Sequence, residues 1–258
     1  MRIADENIKE IIKRLETLGY SQGVETVFRE WCECAALALA NGCDVLHGET
    51  WEKREKRYMS IVKKYNKPEL FPEMFALLTD TFEADPWKDH LGRIYMECFG
   101  GNKELGQCFT PESVCECCAA VAGVPENGEL ATVEEPACGG GAMIIAYLKR
   151  CYEAGYDYQR LLTIHAADLD SLCVHMCYIQ LSLLGVRAVV QQQDTLTLKT
   201  YDTFVTPYEA LYPIFAFTGL DVPTKDEKPQ ETKKEPTETP KKKPEQKKTS
   251  VPVQGCLF

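Results

Sequence analysis

Residues 133–142 read Val-Glu-Glu-Pro-Ala-Cys-Gly-Gly-Gly-Ala. They predict a strand that ends on an acid and a proline, followed by a glycine turn and an apolar helix. Turns of this kind bind nucleotide-like cofactors at the carboxyl edge of a parallel sheet. Glycine is needed there because the turn uses backbone angles that other residues rarely adopt, and because a side chain would collide with a ligand lying against the backbone. The segment therefore predicts a cofactor-binding α/β domain.

The sequence on both sides of this turn alternates between strand and helix patterns. Strands are predicted at 130–134, 161–166, 187–190 and 203–205, and helices at 111–122, 142–152 and 171–184. Strands that alternate with helices in this way form a parallel sheet. The predicted fold class is therefore α/β, with a doubly wound, Rossmann-like sheet.

The two ends of the chain differ from this central part. Apolar and aromatic residues recur at helical spacing through the first hundred residues, which is typical of a packed helical bundle. From Thr224 onward Pro, Lys, Glu and Thr dominate, and such a segment cannot bury enough surface to fold. The predicted organisation is a helical subdomain at 1–104, an α/β domain at 105–223 and a disordered tail at 224–258.

The composition is that of an ordinary globular protein, with 258 residues of which 45% are hydrophobic and 26% charged. No apolar run reaches membrane-spanning length and the N-terminus has no signal-peptide pattern, so a cytoplasmic location is predicted. The 13 cysteines favour reduced thiols, because their number is odd and no export signal is present. Cys115, Cys117 and Cys118 lie close together, but no second Cys or His pair at zinc spacing complements them, so no metal site is predicted.

Three further segments accompany the glycine turn. Phe109-Thr110-Pro111 lies upstream, Asp168 ends the second predicted strand, and Asp194 follows the third. Together with the turn, these segments resemble the adenine-N6 DNA methyltransferase family, specifically the modification subunit of type I restriction-modification systems and its small relatives on mobile elements. The resemblance covers most of the predicted α/β domain and implies S-adenosylmethionine as the cofactor.

The resemblance also implies how the cofactor would be held. Phe109, Thr110 and Pro111 would line its methionine end, and the free amides of the helix that Thr110 is predicted to cap would suit a carboxylate. Asp168 would accept hydrogen bonds from the ribose hydroxyls, and Asp194 one from the adenine amino group. Two alternatives stay open, in which Asp168 only caps the next helix and Asp194 only makes a turn. The turn would contribute Glu135, Pro136, Ala137, Gly139 and Gly141.

The catalytic motif departs from the family pattern. Family enzymes carry Asn or Asp, then Pro-Pro, then Tyr or Phe after the fourth strand, so that polar acceptors hold the adenine amino group and the aromatic ring stacks on the flipped base. This chain has Val205-Thr206-Pro207-Tyr208. Pro207 and Tyr208 match the motif, Thr206 is a partial substitute, and Val205 has no acceptor. Two interpretations follow: a truncated adenine-specific DNA methyltransferase of doubtful activity, or a noncatalytic accessory protein of a mobile element or restriction-modification system.

Charge is distributed unevenly along the chain. Residues 225–258 contain nine Lys and six Asp or Glu, a net charge of +3 (9 − 6), whereas residues 1–224 carry −13 (20 − 33). An acidic body binds duplex DNA poorly by itself, because DNA affinity comes largely from Lys and Arg on phosphates. A partner subunit is therefore expected to help in binding DNA.

The last five residues, 254–258, read Gln-Gly-Cys-Leu-Phe. They resemble the peptide by which bacterial replication and repair proteins dock on the DNA sliding clamp. Leu257 and Phe258 would fill an apolar pocket and Gln254 would fix the register, with the polar tail as a tether. The alternative is a hydrophobic end without a partner.

Overall fold

The computed structural model describes residues 2–20, 22–100, 110–218 and 253–256. The helices in these ranges are α1 (Arg2–Gly19), α2 (Val24–Cys43), α3 (Glu49–Val62), α4 (Leu70–Ala84), α5 (His90–Phe99), α6 (Glu112–Ala122), α7 (Ala142–Glu153), α8 (Tyr158–Leu161), α9 (Ser171–Leu183) and α10 (Pro207–Thr218). The strands are β1 (Ala131–Glu135), β2 (Leu162–Asp168), β3 (Arg187–Asp194), β4 (Lys199–Val205) and β5 (Val253–Cys256). Within the described ranges, no helix combines the length and the apolar character that crossing a membrane requires.

The first hundred residues are helical, as the sequence predicts. Phe28 on α2 packs against Trp31 and Tyr95, with ring centroids 6.1 and 6.0 Å apart. The indole nitrogen of Trp31 donates to the carbonyl of Phe71 at 3.1 Å, which joins α2 to α4. These aromatic side chains are buried or nearly so. They therefore pack the helical bundle, as their spacing indicates.

The helical part packs directly on the α/β part. α9 is buried along most of its length and contacts both α2 and the strands β2 and β3. This position explains why α9 is apolar on all sides. Arg29 on α2 forms an ion pair with Asp170, the residue that precedes α9, at 3.1 Å. Buried apolar side chains of both parts form one contiguous core. The domain boundary predicted at residue 104 stays a prediction. It marks the change from a helical pattern to an alternating strand and helix pattern, and both regions contribute to one core.

The strand order in the sheet is β4-β3-β2-β1-β5. β1, β2 and β3 are parallel, with Glu135 opposite Ala166 and Asp168 opposite Gln192. The ends of these three strands therefore meet at one edge, the carboxyl edge of the sheet. The predicted α/β fold class is confirmed. The strands predicted at 130–134 and 161–166 coincide closely with β1 and β2, and the one at 187–190 with the first half of β3.

The direction of β4 differs from the prediction. The sequence pattern predicts a parallel strand at 203–205, but β4 begins at Lys199 and pairs with β3 in the antiparallel direction. Only residues 195–198 connect the two strands. A connection of this length forms a hairpin, because a parallel crossover needs a dozen or more residues. The end of β4 therefore lies at the amino edge of the sheet.

Four residues of the predicted disordered tail form a strand. β5 pairs with β1 in the parallel direction, with Val253 opposite Ala131 and Cys256 opposite Glu134. The structure places residues 253–256 in the sheet, and disorder of the tail at 224–258 stays a prediction. The rest of the tail, from 224 to 252 and 257 to 258, lies outside the described residues, as do residues 219–223.

Candidate functional site

The glycine turn between β1 and α7 has a conformation that favours glycine. Gly139 and Gly141 have φ angles of +51° and +97°. A Cβ added to Gly141 would lie 3.3 Å from the sulfur of Cys177 on α9, and one added to Gly140 would lie 3.1 Å from both carboxylate oxygens of Asp89. Glycine is therefore required both by the backbone angles and by close packing against neighbouring helices.

Two acids lie beside this turn, at the carboxyl ends of β1 and β2. Asp168 accepts hydrogen bonds from the amides of Gly139 and Asp170, both at 2.9 Å. Glu135 accepts one from the amide of Ala137 at 3.1 Å. Burial raises the pKa of Glu135 to about 7, and the negative charge of Asp168 adds to this shift. The N-cap of α9 is Asp170, so capping that helix does not explain Asp168.

Asp194 lies at the same edge, at the end of β3. Its carboxylate accepts hydrogen bonds from the amides of Leu196 and Thr197 at 3.0 and 3.2 Å. Hydrogen bonds from Thr197 lower the pKa of this carboxyl. Asp194 therefore makes a turn, which was the alternative to a cofactor contact in the sequence analysis above. A role of Asp194 toward a cofactor stays a prediction.

Thr110 and Pro111 lie beside the start of α7, the helix that follows the glycine turn. They line a cavity of about 410 Å³ together with Asp89 and with Ala142, the first residue of α7. α6 begins with Pro111 as its N-cap and has no side-chain cap, so Thr110 does not cap this helix as predicted. Phe109 lies outside the described residues.

A buried polar network joins the turn to α5 and α9, and no pattern in the sequence predicts it. Gln180 on α9 donates from Nε2 to the carbonyl of Gly140 at 2.6 Å and to Asp89 at 2.8 Å. Its Oε1 accepts from the amide of Leu91 at 3.2 Å. Asp89 also accepts from the amide of Gly92 at 2.8 Å, and burial raises the pKa of its carboxyl. The helical part of the chain therefore helps to shape the glycine turn.

The candidate catalytic residues Thr206, Pro207 and Tyr208 lie at the amino edge of the sheet. Thr206 is buried, and its hydroxyl hydrogen-bonds the backbone at the start of β3 at 2.6 and 2.9 Å. Six residues of β3 separate this position from Asp194, which corresponds to about 20 Å. The structure therefore does not bring the three residues to the glycine turn, and the physical reason is the antiparallel direction of β4.

The cysteines near these sites are buried thiols. Cys115, Cys138 and Cys177 are free and buried. Burial raises the pKa of Cys115 to about 11, so its thiol stays protonated at neutral pH. In the part of the chain that the structure describes, no group of three or more His, Cys, Asp and Glu side chains could hold a metal ion.

Three parallel strands, the first of which leads into a glycine turn, with acids at the ends of β1 and β2, are an arrangement at which many α/β proteins bind nucleotide-like cofactors. Residues 87–212 match the model of the N-6 DNA methylase family. This part of the chain is therefore N-6 DNA methylase-like, and the resemblance seen in the sequence is confirmed.

Two solved structures are similar to the chain. One, from Vibrio vulnificus YJ016, is described as a modification subunit of a type I restriction enzyme; it is 18% identical with a TM-score of 0.34, over 48% of this chain and 24% of that one. The other, from Listeria monocytogenes, is described as a class I S-adenosylmethionine-dependent methyltransferase; it is 15% identical with a TM-score of 0.42, over 74% of this chain and 55% of that one. The chain thus spans about a quarter and about half of their lengths. Comparison with curated proteins gave no match.

Proposed function

We propose that this chain is a cytoplasmic, S-adenosylmethionine-binding relative of the DNA adenine-N6 methyltransferases that acts on DNA together with a partner subunit. The observation that carries the proposal is the glycine turn, in which Gly139 and Gly141 have positive φ angles and the amide of Gly139 donates to Asp168. This turn lies within the methylase-like residues 87–212.

The residues at the carboxyl edge fit this cofactor by their chemistry. S-adenosylmethionine carries a positive sulfonium, a positive ammonium and two ribose hydroxyls, and it would supply an activated methyl group. Asp168 and Glu135 are acceptors for hydroxyl or cationic groups. The amides at the start of α6 suit the cofactor's carboxylate, and Asp194 remains the candidate for its adenine. The proposed cofactor site would also be lined by Phe109, Thr110, Pro111, Pro136 and Ala137.

Methyl transfer by the chain alone is not part of the proposal. The side chain of Val205 has no hydrogen-bond acceptor for an adenine amino group, and residues 206–208 lie at the edge of the sheet opposite the glycine turn. Both observations favour the noncatalytic accessory protein of a mobile element or restriction-modification system over the complete enzyme. The partner subunit would then contribute the groups that transfer the methyl group to DNA.

The chain is expected to bind S-adenosylmethionine in the micromolar range but to transfer no methyl group to duplex DNA. Calorimetric titration measures the binding, and a filter assay with labelled cofactor measures the transfer. Asp168→Ala combined with Gly139→Val should abolish binding, because an acceptor is lost and valine is strained at a positive φ angle. Asp202→Ala combined with Gly128→Val is the matched control, since Gly128 also has a positive φ and open space around it.

Two outcomes would contradict this proposal. The first is a wild-type chain that does not bind the cofactor at millimolar concentration, and the second is unchanged binding by the Asp168 and Gly139 double variant. Robust methyl transfer by the purified chain would instead refute only its noncatalytic part.

We also propose that the C-terminus docks on the bacterial sliding clamp through Gln254, Leu257 and Phe258. Gln254 lies opposite Thr132 in the pairing of β5 with β1, so docking would require β5 to leave the sheet. In a pull-down with purified clamp, the full chain should be retained and the Leu257→Ala/Phe258→Ala variant should not. Equal retention of both proteins, or of neither, would show that the terminus is not a clamp ligand.

A further inference from the structure

The acidic body of the chain contains a strongly basic segment. Residues 49–67 hold seven Lys or Arg and three Glu, a net charge of +4 (7 − 3). Because residues 1–224 together carry −13, the rest of the body carries −17 (−13 − 4). Like charges that are concentrated on one surface repel one another, and an anionic partner relieves this repulsion.

All five lysines of this segment are exposed. Lys53, Lys56 and Lys63 are separated by three and seven residues, so they fall on one side of α3 and its C-cap. Glu49 and Glu52 are exposed on the same side of the first two turns. Lys67 is exposed just beyond the helix. We call these four residues the lysine face. No Asp or Glu of the described residues lies within ion-pair distance of them, whereas their neighbour Lys64 is paired with Glu30.

The other side of α3 holds the lysine face in a fixed position. Arg54 donates to the carbonyl of Thr203 on β4 at 3.2 Å, and its guanidinium lies 5.5 Å from the ring centroid of Phe204. Ile61 is fully buried in the core. Arg57 forms two hydrogen bonds to Glu33, at 2.5 and 2.7 Å. The arginines of this segment therefore fix the helix to the fold, while the lysines remain available to solvent.

We propose that the lysine face binds the phosphate backbone of duplex DNA. Ten residues of helix separate Lys53 from Lys63, which corresponds to about 15 Å, and one DNA strand presents a phosphate about every 3.4 Å along the axis. Lysine is a flexible point charge, which suits contact with phosphates rather than recognition of bases. The inference rests on the proposed DNA partner but not on cofactor binding. Through the lysine face, the acidic body would bind DNA by contacts that do not depend on base sequence.

An anionic membrane is the rival partner for this surface. Val45 and Leu46, in the loop before α3, are 72% and 88% exposed, and exposed apolar residues beside lysines also occur at membrane surfaces. DNA is favoured because the methylase-like residues 87–212 belong to the same packed core.

The test is fluorescence anisotropy of the full chain with a short labelled duplex over a series of salt concentrations. The variant Lys53→Gln/Lys56→Gln/Lys63→Gln should reduce the slope of log affinity against log salt by about three. Its affinity should fall by about tenfold or more near physiological salt. The variant Lys241→Gln/Lys242→Gln/Lys243→Gln is the matched control, because it removes the same charge from the tail, and its losses should be smaller.

The proposal is overturned if the wild type does not bind DNA at low salt, if the helix variant binds as tightly as the wild type, or if both variants lose affinity equally. Preferential binding to vesicles of anionic lipid through the same lysines would also overturn it. Calorimetric titration of the helix variant with S-adenosylmethionine should match the wild type. That measurement shows separately whether the proposed cofactor function stands.

Discussion

Replacing Gln180 by leucine is expected to abolish cofactor binding and to lower the free energy of unfolding by about 3–5 kcal/mol. Gln180 is fully buried and hydrogen-bonds the carbonyl of Gly140, the carboxylate of Asp89 and the amide of Leu91. Leucine is similar in size but would leave all three groups without this partner inside the protein. The glycine turn would also lose the contact that fixes Gly140 against α9.

Urea denaturation measures the stability of this variant, and calorimetric titration measures its cofactor affinity. Gln159→Leu is the matched control, because Gln159 is half-buried and its side chain donates a long hydrogen bond, 3.4 Å, to the carbonyl of Leu184. Gln180→Glu keeps the shape but places a second carboxylate beside Asp89, so its stability should recover as the pH is lowered. If Gln180→Leu unfolds at the same urea concentration as the wild type, or binds the cofactor with the same affinity, then Gln180 does not position the glycine turn.

The parts of this site that could be predicted from the sequence are those that depend on local pattern. Residues 133–142 form a strand, a turn and a helix because the glycines and the apolar spacing act within a few residues. Glu135 and Asp168 end neighbouring parallel strands, so strand prediction alone places them at one edge. Thr110 and Pro111 are different, because only the family resemblance assigns them to the site, and the predicted cap does not form.

The parts that could not be predicted depend on contacts between distant residues. An apolar run at 203–205 has the same pattern in a parallel and an antiparallel strand, and only the short 195–198 connection indicates a hairpin. Asp89 and Gln180 are 91 residues apart, and the signal in the sequence is one Gln between the apolar residues Ile179 and Leu181 of α9. β5 pairs with β1 over four residues only, which is too short for a strand pattern to stand out in the sequence.

The affinity for S-adenosylmethionine is expected to rise with pH by up to about tenfold per unit and to level off above about pH 7. Burial raises the pKa of Glu135 from 4.5 to about 7, so its carboxyl is mostly neutral below that pH. The cofactor carries positive sulfonium and ammonium groups, which attract a carboxylate more strongly than a carboxylic acid. Binding therefore favours the deprotonated form of Glu135, and acid weakens it.

The stability of the protein without cofactor should change in the opposite direction. Between pH 4.5 and about 7 the folded protein keeps a proton on Glu135 that the unfolded chain releases. The contribution of this group to the free energy of unfolding is therefore fully present below pH 4.5, and it is lost as the pH rises through this window. The whole change is on the order of 3 kcal/mol at most.

The variant Glu135→Gln separates this group from every other titrating group, because glutamine resembles the neutral acid at all pH values. It should bind the cofactor with an affinity that does not rise with pH, and its stability should lose the corresponding slope. Glu134→Gln, on the adjacent position of β1, is the matched control and should keep both slopes. Calorimetry and urea denaturation from about pH 5 to about pH 8 measure them. Two results would show that Glu135 is not part of the proposed site. One is a wild-type cofactor affinity that does not change with pH, and the other is a Glu135→Gln variant whose affinity still rises with pH.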